Sequence, residues 1–270
     1  MEYKIYPPKE ALAKKIKYFW SLEDFETTSP HSKERVFPDG CIELIFHYGD
    51  HFKKIYQNGT NTQQPKSFIH GQITSYIELE ATGKIGVFSA RFKPNGLQSF
   101  IDFDVAQLTD TTMTVAEVWK EKGKELVTTI LKATSNEMRV EILERFLETK
   151  LKESKKNDET IDFCVDAIVN SNGTIAIEKL TDELDISKRQ LERKFQAIVG
   201  LNLKMFSRIT RFNFALQLIE KKEFDGFTKV AYDGGFYDQA HFIKDFKDLT
   251  GLNPKQYFSE NLEMVKFFNL

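Results

Sequence analysis

Short apolar runs separated by turn residues characterise positions 36–91 of the chain. The clearest run is CIELIFHY after PDG, in which every second position from Ile42 to Tyr48 is apolar, against Glu43, Ile45 and His47. A period of two is typical of a strand with one face in a core and the other partly wet. Further runs are FIHGQ, YIELEAT and KIGVFSARF, bounded by QNGTNTQQPKS and KPNG. The pattern therefore predicts short strands.

The apolar period changes after Val115. Apolar residues then recur at steps of three and four, first from Val115 to Trp119 and again from Val140 to Leu151. This spacing predicts helices that cover or leave a sheet. The segment 151–160, LKESKKNDET, is charge-dense and has no apolar periodicity, as expected of a linker. We place a domain boundary there, giving domains 1–155 and 156–270.

A repeated unit occupies the second domain. Ile177, Leu180, Leu184 and Ile186 match the apolar or glycine positions Phe227, Val230, Gly234 and Phe236 at an offset of 50 residues. Leu191, Phe195 and Gly200 match Phe242, Phe246 and Gly251 at an offset of 51 residues, so the second turn has one extra residue. Each copy reads as a short helix, a tight turn and a second helix, which is the helix-turn-helix pattern.

The residues between the two copies predict one long helix. Apolar side chains recur at helical spacing from Leu203 to Ile219. Such a helix would pack against both copies and fix their separation. The predicted fold class is α+β and multidomain, with a β-rich, barrel-like N-terminal domain that carries helices and an all-α C-terminal domain of two helix-turn-helix units.

The distribution of charge, rather than its total, points to a partner. The 270 residues carry 38 Lys and Arg against 40 Asp and Glu, a formal charge of −2 that indicates nothing about nucleic acid. Residues 187–211, however, contain seven basic residues and one acidic residue, Glu192. Phosphate contact requires such concentrated positive charge. In the second unit, Lys244 and Lys247 are offset by nearby aspartates, so it would contribute less nonspecific affinity.

Two motifs in the second domain are distinctive: Leu191-E-Arg193-K-Phe195 in the first unit and GGFYDQAHFIKDFKDLTGLNPKQYF, residues 234–258, in the second. With these motifs, residues 160–260 resemble the AraC family of transcription regulators. It implies that one monomer places two recognition helices in successive major grooves of double-stranded DNA, about 34 Å apart. It also implies RNA polymerase as a partner.

The resemblance assigns candidate DNA contacts residue by residue. Arg189 and Arg193 would each pair with guanine, and Glu192 would accept from cytosine. In the second unit Gln239 would read adenine and Ala240 would touch a thymine methyl group. For each side chain the alternative is a solvated or internally paired group. The full set is Ser187, Lys188, Arg189, Glu192, Arg193, Lys194, Lys204, Arg208, Arg211, Gln239, Ala240, His241 and Lys244, with Ser187 and Asp238 also predicted as N-caps.

Three segments of the N-terminal domain are distinctive: FPDGCIELIFHY, FIHGQ and VFSARFKPNGLQSFI. With these segments, the domain resembles an uncharacterised sensor-like module that precedes AraC-type DNA-binding halves. The implied role is binding of a small-molecule effector, since a ligand acts only through differential affinity for two states. The candidate ligand-binding residues are Cys41, His47, His70 and Arg91. Arg91 would anchor an anionic ligand, or it is paired with a nearby acid.

Metal and catalytic functions find little support. His31, His47, His51 and His70 with Cys41 invite a metal site, yet in a strand positions 47 and 51 would lie about 13 Å apart. Cys41 is either a reactive thiol or a buried structural thiol, and its position at the start of a strand-like run favours the structural role. No nucleophile triad, phosphate loop or dinucleotide fingerprint occurs in the sequence. We predict no enzyme activity, no cofactor and no metal.

The remaining sequence features concern location and assembly. Cys41 and Cys164 are expected to be free thiols, and neither an export signal nor an apolar stretch of membrane-spanning length is present, so we expect a cytoplasmic protein without membrane contact. A homodimer would use Phe100, Ile101 and Phe103 or the helix at 137–151, unless these residues pack inside the monomer. The alternative to a ligand-responsive regulator is a small-molecule-binding or interaction protein whose DNA-binding half is degenerate. The sequence does not choose between activation and repression.

Overall fold

The computed structural model describes residues 1–26, 33–56, 58–154, 156–220 and 226–259. The chain divides into two compact units. The first unit comprises residues 1–33, 41–72 and 78–157. The second comprises residues 158–270 together with two short segments from earlier in the chain, 34–40 and 73–77. Two pieces of the predicted N-terminal domain thus belong to the helical unit.

Ten strands lie among the described residues. They are β1 (Glu2–Tyr6), β2 (Ile16–Asp24), β3 (Glu34–Val36), β4 (Ile42–His47), β5 (Phe52–Ile55), β6 (Asn61–Gln63), β7 (Ser67–His70), β8 (Ile77–Ala81), β9 (Ile85–Phe92) and β10 (Thr112–Thr114). Six of them form an antiparallel sheet in the order β1-β2-β9-β4-β7-β10. In the second sheet β5 pairs with β8 on one side and β6 on the other. The β-rich domain is as predicted, and it consists of two sheets that do not close into a barrel.

One face of the six-stranded sheet carries the core of the first unit. Ile42, Leu44 and Phe46 of β4 are fully buried on this face, which confirms the alternation expected from the sequence. They pack with helices α1 (Val115–Lys132) and α2 (Asn136–Glu153) in a single apolar cluster. Two 3₁₀ turns, Leu97–Phe100 and Val105–Leu108, join the strands to the helices.

The opposite face of the same sheet is polar and aromatic. Register pairs Glu43 of β4 with Arg91 of β9 on one side and with His70 of β7 on the other. Trp20 of β2 is paired with Ser89 of β9 and is also buried. This face, rather than the apolar one, carries three of the predicted ligand-binding residues, and it places His70 and Arg91 on either side of Glu43, with His47 further along β4.

The second unit consists of helices around one apolar core. Its elements are α3 (Glu159–Asn170), α4 (Ile177–Leu184), α5 (Lys188–Val199), α6 (Leu203–Glu220), α7 (Phe227–Asp233), α8 (Gln239–Thr250) and α9 (Pro254–Ser259). Helices α4 and α5 form the first helix-turn-helix unit, and α7 and α8 form the second. The long α6 between them buries Phe206, Ile209 and Phe212 in the shared core. The predicted repeat and connecting helix are therefore confirmed.

Two further expectations concern surfaces. Phe100 and Ile101 are each only 4% exposed, so they pack inside the first unit and are not available as a dimer surface. Phe103 packs partly buried against the same core, and the helix at 137–151 lies within α2. None of the helices in the described ranges is both long enough and apolar enough to cross a lipid bilayer.

Candidate nucleic-acid interface

The first helix-turn-helix unit is built around a tight turn. Asp185 ends α4 in the left-handed conformation (φ 48°), and Ser187 then caps α5. The Ser187 hydroxyl accepts from the Gln190 backbone N–H, and the Gln190 side chain returns to the Ser187 N–H, so the capping box is complete. Gly200 closes α5 with a φ of +86°. These caps fix where the recognition helix begins and ends.

Helix α5 presents a polar outer face. Leu191, Phe195 and Val199 are buried, whereas Arg189 and Arg193 are exposed one turn apart, with Glu192 beside them. No hydrogen bond or ion pair reaches either arginine from the described part of the chain. The α5 face therefore holds two guanidinium groups that are ready for an external partner.

The two lysines of α5 are engaged within the unit. Lys188 Nζ lies 3.1 Å from Glu178 Oε1, and Lys194 Nζ lies 3.0 Å from Asp158 Oδ2. Both lysines are about half exposed, and exposed ion pairs contribute only about 0–1 kcal/mol. A phosphate would therefore displace either carboxylate at little cost.

The basic residues of α6 differ in accessibility. Lys204 is exposed. Arg208 is bound by α8, because its Nε lies 2.9 Å from Asp245 Oδ1 and its Nη2 donates to Asp248 Oδ2 at 2.6 Å. The Arg211 guanidinium stacks 5.7 Å from the Phe236 ring centre, and burial lowers its pKa. The two arginines thus hold α6 against the second unit, and their contact with DNA stays a prediction.

The second helix-turn-helix unit has a longer turn, from 234 to 238. Gly235 takes a φ of +73°, and Phe236 turns back into the core at 6% exposure. Asp238 caps α8 by accepting from the His241 backbone N–H at 2.7 Å. Gly251 ends α8 at the position equivalent to Gly200. The one-residue insertion predicted from the offset therefore lies in this turn.

Some of the predicted base-reading residues of α8 already make contacts within the second unit. Gln239 Oε1 accepts from Thr228 Oγ1 at 2.7 Å. His241 Nε2 lies 3.5 Å from Asp245 Oδ2. Ala240 and Lys244 are exposed. Two large side chains that the sequence interpretation missed, Tyr232 at 83% and Tyr237 at 93% exposure, flank this turn. An aromatic residue next to a helix N-cap was the available signal.

The polar face of the six-stranded sheet contains a buried hydrogen-bond network. Glu43 Oε1 accepts from Arg91 Nη1 at 2.6 Å, and Oε2 accepts from Trp20 Nε1 at 3.0 Å and Ser89 Oγ at 2.5 Å. Arg91 is 2% exposed, and its guanidinium lies 5.7 Å from the Tyr18 ring centre. Of the two alternatives for Arg91, the ion pair is the one observed.

Two histidines on the same face are neutral and buried. Burial lowers the pKa of His47 and of His70 to about 4. His70 Nδ1 donates to the Gly71 carbonyl at 3.0 Å, and His47 Nε2 donates to Gln64 Oε1 at 3.2 Å. The other ring nitrogen of each is a buried acceptor without a protein partner in the described ranges. Such acceptors call for an ordered water or a ligand donor.

The other candidates for site chemistry give no metal or reactive-thiol site. Burial raises the pKa of the Cys41 thiol to about 12, so it is protonated at neutral pH. β4 ends at His47, and the chain turns before His51, so the two rings lie 6.3 Å apart and the extended 13 Å spacing is wrong. His51 Nδ1 is bonded to the Gln64 carbonyl. No metal-binding cluster occurs among the described residues, and His31 lies outside them.

Comparison with known families assigns both parts of the chain. Residues 180–260 match a helix-turn-helix domain model, and residues 4–114 match a domain of unknown function (DUF6597). The regulator MtrA of Neisseria gonorrhoeae, described as an HTH-type transcriptional regulator, is 25% identical over 243 residues, covering 83% of this chain and 76% of MtrA.

Solved structures of similar architecture come from ToxT of Vibrio cholerae. One matches 96% of this chain and 97% of its own at 12% identity and a TM-score of 0.48. Another, described as bound to unsaturated fatty acid, matches 94% of each chain at 13% identity and a TM-score of 0.45. Both are structures to which this chain is similar only in broad outline.

The two capped helix-turn-helix units, together with these matches, define a DNA-binding transcription regulator. More particularly, residues 180–260 form a helix-turn-helix domain of the AraC type, and residues 4–114, on its N-terminal side, match DUF6597.

Proposed function

We propose that this regulator binds DNA mainly through α5 and responds to a small-molecule effector held by the polar face of the first unit. The observation that carries the DNA proposal is the pair Arg189 and Arg193, exposed one turn apart without an internal partner among the described residues. Each guanidinium has the fork geometry that pairs with guanine N7 and O6 in the major groove. Glu192 between them would accept from cytosine N4.

Phosphate contacts would come from the surrounding residues. Ser187 at the start of α5 and Lys204 at the start of α6 are exposed, and Lys188 and Lys194 exchange weak ion pairs for phosphate. In the second unit Lys244, Ala240 and the exposed Tyr237 would set register and touch the backbone or a few bases. As a DNA-binding regulator the chain would act in the cytoplasm, with RNA polymerase as a further partner.

The effector proposal is supported by the composition of the polar face. Arg91 and Glu43 neutralise each other, whereas His70 Nε2 and His47 Nδ1 are buried acceptors. A matched charge pair favours an uncharged ligand, since a charged one would lack an opposing partner there. We therefore expect an uncharged molecule with hydrogen-bond donors.

The double variant Arg189→Ala/Arg193→Ala tests the DNA proposal. A DNA fragment is first selected from genomic DNA with the full-length wild type, and affinity is then measured by gel shift over a range of salt concentrations. We expect a loss on the order of 100-fold, because each guanine pair contributes about 1–3 kcal/mol. The selected base preference should also disappear.

The matched control is Lys122→Ala/Lys124→Ala on α1, where both lysines are exposed. It removes the same charge from the first unit and should bind DNA within about twofold of the wild type, since it lies far from the α5 face in sequence and belongs to another unit. If the α5 variant keeps the affinity and salt slope of the wild type, α5 does not read DNA. The alternative of a degenerate DNA-binding half would then be favoured.

A further inference from the structure

Two segments of the N-terminal family match are built into the helical unit. Residues 34–40 and 73–77 lie within the match at 4–114, yet they belong to the same compact unit as α3 to α9. Their positions in the sequence are informative. Residues 34–40 lead directly into β4 with Glu43, and residues 73–77 follow β7 with His70 after a two-residue gap.

Phe37 is the main contact of the first segment. Its side chain is 7% exposed, and its ring meets Phe212 of α6 edge-on at 6.5 Å and Tyr257 of α9 at 5.9 Å. Phe246 of α8 in turn contacts Phe212 and Tyr257, each at 5.5 Å. The four rings form a closed cycle in which Phe37 bridges α6 and α9, with the recognition helix α8 as the fourth side.

Gly40, at the end of this segment, packs closely against Phe206 of α6. It takes a φ of +79°, and a Cβ there would lie 3.0 Å from the Phe206 ring. A side chain at this position would therefore be strained and would press on a buried ring.

The second segment contacts the carboxyl end of α8. Tyr76 packs directly over Gly251, the C-cap of α8, where any Cβ would overlap the Tyr76 ring. The Arg35 guanidinium lies 5.1 Å from the centre of the same ring, which joins the two segments to each other. Both segments thus pack around α8 and the two helices that flank it. Their link to α5 is indirect, through Gly40 against Phe206, whose ring lies 5.6 Å from that of Phe195.

We infer that residues 34–40 and 73–77 are positioning segments for the second helix-turn-helix unit, acting through Phe37 and Tyr76. Because they are covalently continuous with the strands that carry Glu43 and His70, a change at the polar face of the sheet reaches α8 through these rings. Close-packed rings move as a unit, so displacement of Phe37 requires α8 and α9 to repack. This inference rests on the proposed function, in which both units contact DNA.

Footprinting of the full-length protein on its selected DNA tests the inference. Hydroxyl-radical footprints resolve two half-sites, and the half-site that weakens in Arg193→Ala is assigned to the first unit. In Phe37→Ala and in Tyr76→Ala we expect the affinity for the other half-site, measured from its protection, to fall at least about tenfold. This change lies within the range of typical coupling between sites. Protection of the first half-site should stay within about twofold.

Controls separate positioning from general destabilisation. Phe100→Ala removes a ring of equal size that is 4% exposed in the 3₁₀ turn Leu97–Phe100 of the first unit, and it should weaken neither half-site selectively. Phe37→Leu keeps an apolar side chain and should restore much of the second half-site. Tyr76 is only partly buried, so Tyr76→Ala carries the test where Phe37→Ala fails to fold.

The outcomes are distinguishable. Equal protection of both half-sites in the folded Phe37→Ala and Tyr76→Ala proteins would overturn the inference and leave the proposed function standing. The inference would also be overturned if the variants weakened protection of both half-sites equally, or if the wild-type protein protected a single half-site. A wild type that selects no DNA would overturn the proposed function itself.

Discussion

Acidification should destabilise the first unit through two buried histidines. His47 is 2% exposed and His70 is 6% exposed, and burial lowers the pKa of each to about 4. Both are therefore neutral in the folded protein at pH 5.5, whereas in the unfolded chain a histidine has a pKa of about 6.5. A depressed pKa gives stability that is complete above pH 6.5 and is lost as the pH falls toward 4, because the unfolded state then binds more protons.

The magnitude follows from these two values. Between pH 7.5 and 5.5 the unfolded chain takes up most of one proton at each histidine, while the folded protein takes up almost none. Each histidine then lowers the free energy of unfolding by roughly 1 kcal/mol, so the two together lower it by about 2–3 kcal/mol. Glu43 opposes part of this loss, because burial raises its pKa to about 7 and the folded protein takes up its proton in the same pH range. Domains are stable by only about 5–15 kcal/mol, so the histidine contribution is a large fraction of the total.

Urea unfolding followed by tryptophan fluorescence measures how the free energy of unfolding of the first unit changes with pH. Both tryptophans of the chain, Trp20 and Trp119, belong to the first unit, so their emission reports its unfolding. In the double variant His47→Gln/His70→Gln the stability should no longer fall between pH 7.5 and 5.5, and the raised pKa of Glu43 should make it rise slightly, although the stability at pH 7.5 will differ from that of the wild type.

His241→Gln is the matched control, because His241 is 40% exposed in the second unit. It should leave the tryptophan-detected slope unchanged. The reasoning is refuted if the double variant loses stability with pH as steeply as the wild type, since some other group would then bind the protons.

Two further predictions concern the DNA and effector sites. Tyr237→Phe should weaken binding to the selected DNA by about threefold to tenfold, because one hydrogen bond to the DNA backbone is lost. Tyr56→Phe of the first unit is the control in the same gel-shift assay. Unchanged affinity in Tyr237→Ala would exclude this contact. A small molecule from a cell extract that raises the tryptophan-detected unfolding midpoint of the wild type should lose most of this effect in His70→Phe and keep it in His51→Phe. Equal shifts in the two variants would remove His70 from the effector site.

The strands differ in how well the sequence predicts them. β4 alternates because its two faces differ, with Leu44 in the apolar core and Glu43 in the polar network. β2 was missed because Tyr18 to Leu22 are all buried, so its sequence does not alternate. In the middle of the sheet, Phe19 faces the helices while Trp20 donates to Glu43 on the other face. A strand buried on both faces reads as a continuous apolar run.

The helical half was predictable because its determinants are local. Apolar steps of four and the paired glycines Gly200 and Gly251 are visible in the sequence, and both glycines take a positive φ at the end of a recognition helix. The segments around Phe37 and Tyr76 were not predictable in this way. Their partners lie more than a hundred residues away, and nothing in a local pattern specifies such a contact.

Tertiary contacts also change the electrostatic comparison of the two units. In the sequence, Asp245 and Asp248 make α8 look unsuited to DNA, and Arg208 looks like part of a basic face. In the structure Arg208 lies 2.9 Å from Asp245 and 2.6 Å from Asp248, so its charge offsets one of the two negative charges. The second unit is therefore less repulsive to phosphate than its composition indicates, because the interaction of opposite charges at contact outweighs that with a distant backbone.

The same ion pairs reduce the number of basic residues that the first unit can use to contact DNA. Arg208 and Arg211 are held by α8 and Phe236, so five of the seven basic residues remain for DNA, and two of these, Lys188 and Lys194, must first give up weak ion pairs. Fewer neutralised phosphates mean a shallower salt dependence than seven basic residues would give. Sequence preference should then rest on the two arginines, while α8, held in place by Phe37, decides how far the second half-site adds to binding.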